Sequence, residues 1–409
     1  MYQQSIPVRT ALMPLCYRDF HCLAAACRDN CCGSNWKIAF NKKDYLRVKR
    51  SAKSDELKEI LASGISRLRK HELGDTFYAQ FDVGDNGKCA FQTEEGLCFL
   101  QLECGAAALP YVCRTYPRKS LYTAAAKELS LSPSCEGVLA LLWDLPQGID
   151  FWEEPLPKKE WQLVKVPPQL ARFADIRSFC VDVIQERSLP LSRRLLLLGL
   201  LLQRLKDFDW TMEGVVDEWV AWGSEQLRSP SVAATLETFP RNRLEFLTSN
   251  IQVMLGVYEN TDTRSKEVYR SLFSALSVEE DWERNGLGKF SIDTIRYQHL
   301  EAQLKELLGH MDEFLENLMV MTAFYSTFPN PTGPEELWKS YAALCGLYSF
   351  YWFAAVCGCH KEVSRERLFQ IIVAASRDLL HNTARLDWLA DIVIEDGGTL
   401  AKIAVLLGG

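Results

Sequence analysis

The sequence predicts a mainly α-helical protein with a small α+β, cysteine-rich N-terminal region and a helical C-terminal bundle. Three observations lead to this prediction. Ten of the fourteen cysteines lie between Cys16 and Cys135. A proline-rich stretch follows that region, and apolar residues at helical spacing dominate the chain beyond it. At 409 residues the chain is too long for one ordinary core, so two or three domains are expected.

Composition and charge indicate a soluble globular protein. Apolar residues make up 48% of the chain and charged residues 24%, which is the usual balance for that class. A net charge of -7 lacks the basic footprint of nucleic-acid binding, so no nucleic-acid partner is expected. The first fifteen residues do not resemble a secretory signal peptide. We therefore expect a cytoplasmic protein whose thiols stay reduced.

We predict a cysteine-rich metal-binding domain over residues 1–143, a proline-rich linker over 144–168 and an α-helical domain over 169–409. The linker prolines are Pro146, Pro155, Pro157, Pro167 and Pro168. Because proline fixes φ and removes a backbone donor, this segment should be a linker or an extended wrap over the surface.

Strand signals are few and lie in the N-terminal region. A short β-hairpin is predicted from residue 77 to residue 91, because apolar and polar residues alternate there and Asp85-Asn86-Gly87 can supply the turn. This hairpin would present Cys89 at the start of a cysteine group. A second short strand is predicted over residues 119–125.

The remainder is predicted to be helical. One helix should cover residues 192–208, with Pro190 just upstream. Residues 291–328 should form one long helix or a broken pair, ended by Pro329-Asn330-Pro331. Two or three further helices are expected between residues 334 and 407.

Residues 342–359 form an 18-residue stretch without a charge. This length lies at the lower edge of what a membrane-spanning helix needs. Its Gly, Ser, Tyr and Cys residues make it only moderately apolar, so a buried core helix is the favoured interpretation. Peripheral association with a membrane is the alternative.

The cysteines of the N-terminal region form two groups, which together with Cys135 could bind metal. The first group is Cys22, Cys27, Cys31 and Cys32, and the second is Cys89, Cys98, Cys104 and Cys113. Four thiolates suit tetrahedral zinc or an iron–sulfur cluster. Zinc sites usually come as paired C-x₂₋₄-C knuckles, and the irregular spacing here favours iron–sulfur. Zinc and a redox or structural role are the alternatives.

Other cysteines are expected to be structural. Cys16, Cys104 and Cys180 are interpreted as small buried hydrophobes. Cys357 and Cys359, with His360, lie at the end of the apolar stretch without nearby ligands, so no metal site is predicted there. Adjacent side chains point in different directions, so Cys31 and Cys32 are not expected to share one ion.

The pattern resembles the flagellin lysine-N-methylase family, which is related to CxxCxxCC-type zinc- or iron-chelating proteins. The segments that carry the resemblance are Cys22, Cys27-Arg-Asp-Asn-Cys31-Cys32 with Trp36, Cys89-Ala-Phe, Cys98-Phe-Leu, Leu109–Arg118 and Leu131–Cys135. They span residues 16–140, about a third of the chain.

The resemblance implies S-adenosylmethionine-dependent methylation of lysine side chains on flagellin, with a cysteine-bound iron–sulfur cluster of the 4Fe-4S type. The implied ligand pool is Cys22, Cys27, Cys31, Cys32, Cys89, Cys98, Cys113 and Cys135. One cubane cluster needs four ligands. Some members of the pool are therefore structural, or there are two centres.

The chain lacks the usual motifs for S-adenosylmethionine. The strand and Gly-rich turn of common methyltransferases are absent, apart from a lone Gly286-Leu-Gly288. The radical signature CxxxCxxC fails because Ser34 occupies its third position. The cofactor site should therefore be unusual, and an open iron position could bind the amino and carboxylate groups of the cofactor.

Four residues beside the cysteines are candidates for binding the cofactor. Arg114 and Arg118 could pair with its carboxylate or balance the charge of the cluster. Tyr116 and Trp36 could face the sulfonium through cation–π contacts. Ion pairing and core packing are the structural alternatives. The sequence does not identify the group that deprotonates the substrate lysine.

Two other functions compete with methylation. One is a non-catalytic zinc or iron–sulfur interaction module, and the other is an electron-transfer or redox-sensing protein. A structural metal site should be closed by four thiolates, whereas a catalytic site keeps an open position or an adjoining cavity. The sequence does not indicate an oligomeric state.

Overall fold

The computed structural model describes residues 4–33, 36–69, 76–276, 293–381, 383–395 and 397–408. Over these ranges the chain forms nine strands and seventeen α-helices. The mainly α-helical class is therefore confirmed. The lone GxG at 286–288 lies outside the described residues.

All nine strands fall before residue 167 and form three small sheets. The first pairs β1 (Gln4–Val8) antiparallel with β9 (Gln162–Val166). The second has the order β6-β7-β2-β8, formed by Arg118–Tyr122, Lys127–Leu131, Thr10–Pro14 and Phe151–Pro155. The third has the order β3-β5-β4, formed by Ala39–Phe40, Ala79–Phe81 and Ile65–Arg67.

The proline-rich segment is extended chain that joins these sheets. β8 pairs antiparallel with β2, with Leu12 opposite Glu153. β9 pairs along the whole of β1, from Gln4 opposite Val166 to Val8 opposite Gln162. Residues 151–155 and 162–166 are thus held by main-chain hydrogen bonds on the N-terminal strands. The domain boundary at 144–168 itself stays a prediction.

The hairpin predicted at 77–91 forms only in part. The turn is present, since the amide of Gly84 donates to the carbonyl of Lys88 at 2.9 Å and Gly87 has a φ of 75°. Only an isolated bridge joins Val83 to Cys89, and β5 pairs with β3 and β4 instead. The strand predicted at 119–125 is present as β6.

Five α-helices accompany the sheets, namely α1 (Lys42–Ser51), α2 (Asp55–Ser63), α3 (Phe99–Cys104), α4 (Tyr111–Thr115) and α5 (Glu136–Trp143). The side chains of Asn41 and Ser54 cap the first two helices. Phe40, Val48, Leu57 and Phe91 form a small core between these helices and the third sheet, and Cys89, Cys98 and Cys113 pack at its edge.

Twelve further helices form the C-terminal part. They are α6 (Phe173–Gln185), α7 (Leu191–Lys206), α8 (Val215–Leu227), α9 (Pro230–Glu237), α10 (Arg243–Glu259), α11 (Thr263–Ala275), α12 (Thr294–Leu307), α13 (Met311–Tyr325), α14 (Pro334–Gly358), α15 (Arg365–Leu380), α16 (Thr383–Ile394) and α17 (Leu400–Leu407). The helix predicted at 192–208 is α7, and the broken pair is α12 and α13, interrupted at Gly309.

Four helices, not two or three, follow residue 334. The sequence prediction was wrong here because the breaks are short. Ser364 caps the start of α15 with its side chain, and Gly397 and Gly398 adopt positive φ values of 91° and 55° before α17.

The uncharged stretch at 342–359 lies in α14, as a core helix. This helix is long and apolar enough to cross a membrane, but 89% of its most apolar window is buried inside the fold. It packs against α7, α10 and α11, and against the three helices that follow it.

One large core continues from the N-terminal part into the helices. Val138, Leu139 and Leu142 of α5 are fully buried against α13 and α15. A buried ion pair adds to this contact, because Arg177 of α6 donates two hydrogen bonds, of 2.7 and 2.5 Å, to the carboxylate of Glu128 on β7. The cysteine-rich region is therefore packed directly on the helical part.

Candidate metal and cofactor site

Short turns bring the two cysteine groups together. The amide of Cys89 donates to the carbonyl of Cys32 at 2.8 Å, which joins the second group to the first through the backbone. Cys98 forms an isolated bridge with Gln92 and occupies the N-cap position of α3. The side-chain amide of Gln92 donates to the Asn30 side chain at 2.7 Å, which adds a second cross-link.

Cys113 reaches the same place on the short helix α4. The carboxylate of Asp44 on α1 accepts a hydrogen bond of 3.0 Å from the amide of Tyr111, at the start of α4. Arg47 pairs with Asp44 at 2.5 Å and donates to the carbonyl of Leu109 at 2.7 Å. Helix α1 therefore fixes the position of α4 and of its thiol.

Five thiols lie close enough to influence one another electrostatically, namely Cys31, Cys32, Cys89, Cys98 and Cys113. Burial raises the pKa of Cys89 to about 11, and the neighbouring thiols add to this effect. Burial and the same neighbours also raise the pKa of Cys113. We call these five residues the thiol centre.

Cys31 differs from the rest of the thiol centre. A hydrogen bond with the Cys32 thiol, outweighing burial and assisted by the charge of Arg377, lowers the pKa of Cys31 to about 7. The pKa of Cys32 is correspondingly raised. By its accessible surface Cys31 is the exposed member of the thiol centre, whereas Cys32, Cys89, Cys98 and Cys113 are partly buried.

Cys22, Cys27 and Cys135 form a second set beside the thiol centre. Cys135 interacts electrostatically with Cys31 and Cys22, and burial raises its pKa to about 12. Its neighbour Glu136 accepts hydrogen bonds from the Cys27 thiol at 3.5 Å and from the amide of Arg28 at 2.7 Å. The start of α5 thus holds the first cysteine loop.

The donors of the thiol centre are sulfurs, which suit zinc or an iron–sulfur cluster. Within the described ranges, no three His, Cys, Asp or Glu side chains converge on a point that could hold one metal ion. A tetrahedral zinc with bonds of about 2.3 Å would need its sulfurs only about 3.8 Å apart. A multi-iron cluster binds each thiolate through a different iron and keeps them further apart. Its positive charge would also offset the repulsion among desolvated thiolates.

The structure places the cysteines outside this pool as follows. Cys16 and Cys180 are buried in the large core. The Cys104 thiol donates to the carbonyl of Ser51 at 3.0 Å. Cys357 and Cys359 are buried, and the ring of His360 bonds the Cys357 carbonyl and the Ser274 hydroxyl.

Trp36 and Tyr116 meet next to the cysteines. Their rings are in edge contact, with centroids 5.2 Å apart, and the ring of His381 lies 4.8 Å from Trp36. Ser134 links the group, because its hydroxyl is 2.6 Å from Nε2 of His381 and 3.0 Å from the Tyr116 hydroxyl. We call Trp36, Tyr116 and His381 the aromatic group.

Desolvation and the charge of Arg377 lower the pKa of His381 to about 4, so this ring is neutral at pH 7. Burial raises the pKa of Tyr116 well above its usual value, so its hydroxyl stays protonated. The aromatic group is therefore uncharged at neutral pH and offers ring faces and one hydroxyl.

The two predicted arginines lie in different surroundings. Arg118 donates to the carbonyl of Phe20 at 2.9 Å and lies over the Phe20 ring at 4.8 Å. Arg114 lies in the last turn of α4. Their role in binding the cofactor stays a prediction.

Arg377 was not predicted as a site residue, although it lies beside Trp36 and the thiol centre. Its guanidinium is 5.4 Å from the centroid of Trp36, and its charge acts on Cys31. It comes from α15, at a distance of 348 residues from its partner Asp29, and no local motif marks it.

Asp29 joins the first cysteine loop to two helices. Its buried carboxylate lies 3.2 Å from Arg377 on α15 and 3.0 Å from Arg264 on α11. Arg264 also donates to the carbonyls of Arg28 and Gly33. The loop that carries Cys27 and Cys31 is thus fixed by charges from the C-terminal part.

The fold and this site define a class of mainly helical protein, in which an N-terminal thiol centre is completed by residues of a C-terminal helical part. The family model described as "FliB lysine N-methylase C-terminal domain" matches residues 177–406, more than half of the chain. The chain belongs to this lysine N-methylase family, and the resemblance found in the sequence is confirmed.

Individual relatives agree with the family match. The chain is 26% identical over 179 residues to proteins named "Lysine-N-methylase" from Salmonella choleraesuis and Salmonella typhimurium. The alignment covers 43% of this chain and 42% of each relative, so it spans about two fifths of their length. A protein named "Flagellar biosynthetic protein FliU" from Salmonella muenchen is 28% identical over 149 residues, which are 36% of this chain and 83% of that protein. No solved structure matches the chain.

Proposed function

We propose that this protein is a methyltransferase that uses S-adenosylmethionine to methylate lysine side chains on flagellin, in the cytoplasm. Its thiol centre would hold an iron–sulfur cluster of the 4Fe-4S type. The observation that carries the proposal is the family match over residues 177–406, together with the relatives named for lysine methylation and for the flagellum. When bound, the cofactor supplies the methyl group, and the cluster supplies an electrophilic centre.

The aromatic group suits the substrate side of this reaction. Methyl transfer needs the neutral lysine amine, and both an apolar environment and a nearby positive charge lower the pKa of an amine. Trp36 and Tyr116 supply apolar ring faces, and Arg377 supplies the charge, 5.4 Å from the Trp36 ring. The same ring faces attract the methylated cation as it forms.

The cluster would use the members of the thiol centre as ligands. Cys32, Cys89, Cys98 and Cys113 are the four whose pKa values are raised by burial or by their neighbours. Metal binding replaces the proton on each of these thiols and offsets the cost of desolvating their charge. Cys31, exposed and next to Arg377, would remain at the open side of the cluster.

The test is transfer of an isotope-labelled methyl group to flagellin by anaerobically purified protein. We expect label on lysine side chains, found by mass spectrometry of flagellin peptides. Loss of label in the Trp36→Ala variant, with the iron content unchanged, would support the role of the aromatic group. An iron-loaded wild-type protein that leaves flagellin unlabelled would overturn the proposed activity and favour a redox or interaction role.

A further inference from the structure

A cavity lies beside the first cysteine loop, on the side of the helices. It has a volume of about 160 Å³ and lies between α11, α15 and the first cysteine loop. Its charged and polar lining residues are Asp29, Arg264, Ser265, Glu267, Arg367, Gln370 and Arg377. None of them was a candidate in the sequence. Because Arg377 also acts on Cys31 and lies over Trp36, this cavity is next to the proposed reaction site.

The lining carries both signs of charge with an excess of positive charge. Three arginines face two carboxylates. Arg264 and Arg377 share the single carboxylate of Asp29, at 3.0 and 3.2 Å. Among the described residues, Arg367 donates only to neutral acceptors, namely the Gly358 carbonyl, the Ser271 hydroxyl and the Gln370 side chain.

One donor of Arg377, a residue that lines the cavity, is buried without a hydrogen-bond partner among the described residues. The Nε–H of Arg377 has no hydrogen-bond partner among the described residues, although the side chain is only 4% exposed. Buried polar groups nearly always have a partner, in the protein, in water or in a ligand. An anionic ligand group in this cavity would balance the excess charge of the lining, and one that reached the Nε–H of Arg377 would give that donor a partner.

We propose that this cavity, and not an open iron position, binds the α-amino-carboxylate end of S-adenosylmethionine, an inference that rests on the proposed function. The arginines receive the carboxylate, and the exposed Glu267 receives the ammonium. The volume of the cavity agrees with a small ligand group, because 160 Å³ is well below the roughly 300 Å³ at which pockets for drug-sized ligands begin. The cavity takes an amino-acid-sized group and leaves the adenosine outside it.

Two ligands show whether the amino-acid end contributes to binding, and the cavity variants then distinguish the cavity from an open iron position. S-adenosylhomocysteine contains the amino-acid end, whereas 5′-methylthioadenosine has the same adenosine and sulfur but lacks that end. Isothermal titration of both into the anaerobically purified full-length protein should show tighter binding of S-adenosylhomocysteine. We expect a preference of about ten-fold to a hundred-fold, the usual range for charge-assisted hydrogen bonds.

The most specific variant is Gln370→Glu. It keeps the side-chain shape and the oxygen that accepts from Arg367, but it places a negative charge in the cavity. The variant should bind S-adenosylhomocysteine about ten-fold or more weakly than the wild type, and its affinity for 5′-methylthioadenosine should be unchanged. Arg367→Ala should act in the same direction. Gln226→Glu on α8 and Arg365→Ala on α15, outside the cavity, are the matched controls.

The outcomes distinguish the two proposals. If the wild type binds S-adenosylhomocysteine but Gln370→Glu and Arg367→Ala bind it equally well, the cavity assignment is wrong and the cofactor proposal stands. Equal affinity of the wild type for the two ligands would likewise refute the cavity assignment. If the wild type binds neither ligand, the cofactor proposal fails, and the cavity assignment fails with it. A variant that binds both ligands more weakly, and to the same extent, has a structural defect. This result would contradict the specific effect that we assign to the cavity.

Discussion

At the scale of single residues, the sequence marks the thiols but not their surroundings. The two cysteine groups and Trp36 with Tyr116 were predicted from local motifs, and they meet in space. Asp29, Arg264, Arg377 and His381 were not, because their contacts join residues hundreds of positions apart. Only the packed helices bring such residues together. Local sequence patterns therefore predict the candidate metal ligands, whereas contacts between distant residues decide which of them share a site.

Replacing Cys113 by Ser should abolish the cluster. Serine removes a desolvated thiol from the thiol centre, and a hydroxyl is a poor ligand for iron in such a cluster. Iron per chain, measured on anaerobically purified protein, should fall to a small fraction of the wild-type value. Cys104→Ser is the control, because a serine hydroxyl can keep the bond to the Ser51 carbonyl. Full iron content in Cys113→Ser would exclude this residue as a ligand.

Replacing Asp29 by Asn should destabilise the whole protein. The change leaves the guanidinium of Arg377 buried without its carboxylate, and breaking a buried ion pair costs about 3–5 kcal/mol. The side chain of Arg264, the second partner of Asp29, is 35% exposed, so water can solvate its charge when the carboxylate is lost. We therefore expect a loss at the lower end, about 3 kcal/mol, in the free energy of unfolding by denaturant. Asp19→Asn, at an exposed position, should change little; equal stability of the two variants would refute the role of Asp29.

At the scale of elements, the long helices follow from the sequence and most of the strands do not. α7 agrees with the predicted helix, and α12 and α13 are the broken pair, one of the two arrangements that the sequence allowed. The strands β1, β2, β8 and β9 have five residues each and were missed. Their partners are distant in sequence, as in the pairing of Gln4 with Val166, so alternation within one strand carries little signal.

Gly199 tests the packing of α7 against α14. A Cβ there would lie 2.2 Å from the Tyr341 hydroxyl and 2.7 Å from Leu400, so the neighbours must move. Overpacking costs about 1–3 kcal/mol and exceeds the roughly 1 kcal/mol by which alanine favours a helix. Gly199→Ala should therefore lower the free energy of unfolding by about 1 kcal/mol or more.

Two further variants control the Gly199 experiment. A Cβ added at Gly309 would meet no atom within 4 Å among the described residues, so Gly309→Ala should be neutral or slightly stabilising. Tyr341→Phe removes the closest oxygen, so combining it with Gly199→Ala should recover part of the loss beyond additivity. A Gly199→Ala protein as stable as the wild type would show that α7 and α14 are packed less tightly.

At the scale of the whole molecule, one large core extends from α5 into the C-terminal helices, across the change of composition near residue 143. The sequence indicates a change at this point, and among the described residues the strands lie before residue 167. It does not reveal that α5 buries Val138, Leu139 and Leu142 among the helices, or that Glu128 pairs with Arg177. The site likewise depends on both parts, because the N-terminal thiols meet Arg264 and Arg377 from the helical part.

A fragment of residues 1–168 should therefore fail to fold cooperatively. It would expose the apolar face of α5 and leave Glu128 without Arg177. Circular dichroism with thermal unfolding should show no sharp transition, in contrast to the full chain. A cooperative transition and full iron content in the fragment would show that the thiol centre needs nothing from the helices.

The most direct test of the account is the iron and acid-labile sulfide content of the full-length protein, purified without oxygen. The central claim is that the N-terminal thiols, held in place by the helices, bind an iron–sulfur cluster rather than a single ion. We predict about four iron and about four sulfide per chain, as one cubane cluster requires. One zinc per chain with no sulfide would contradict the claim.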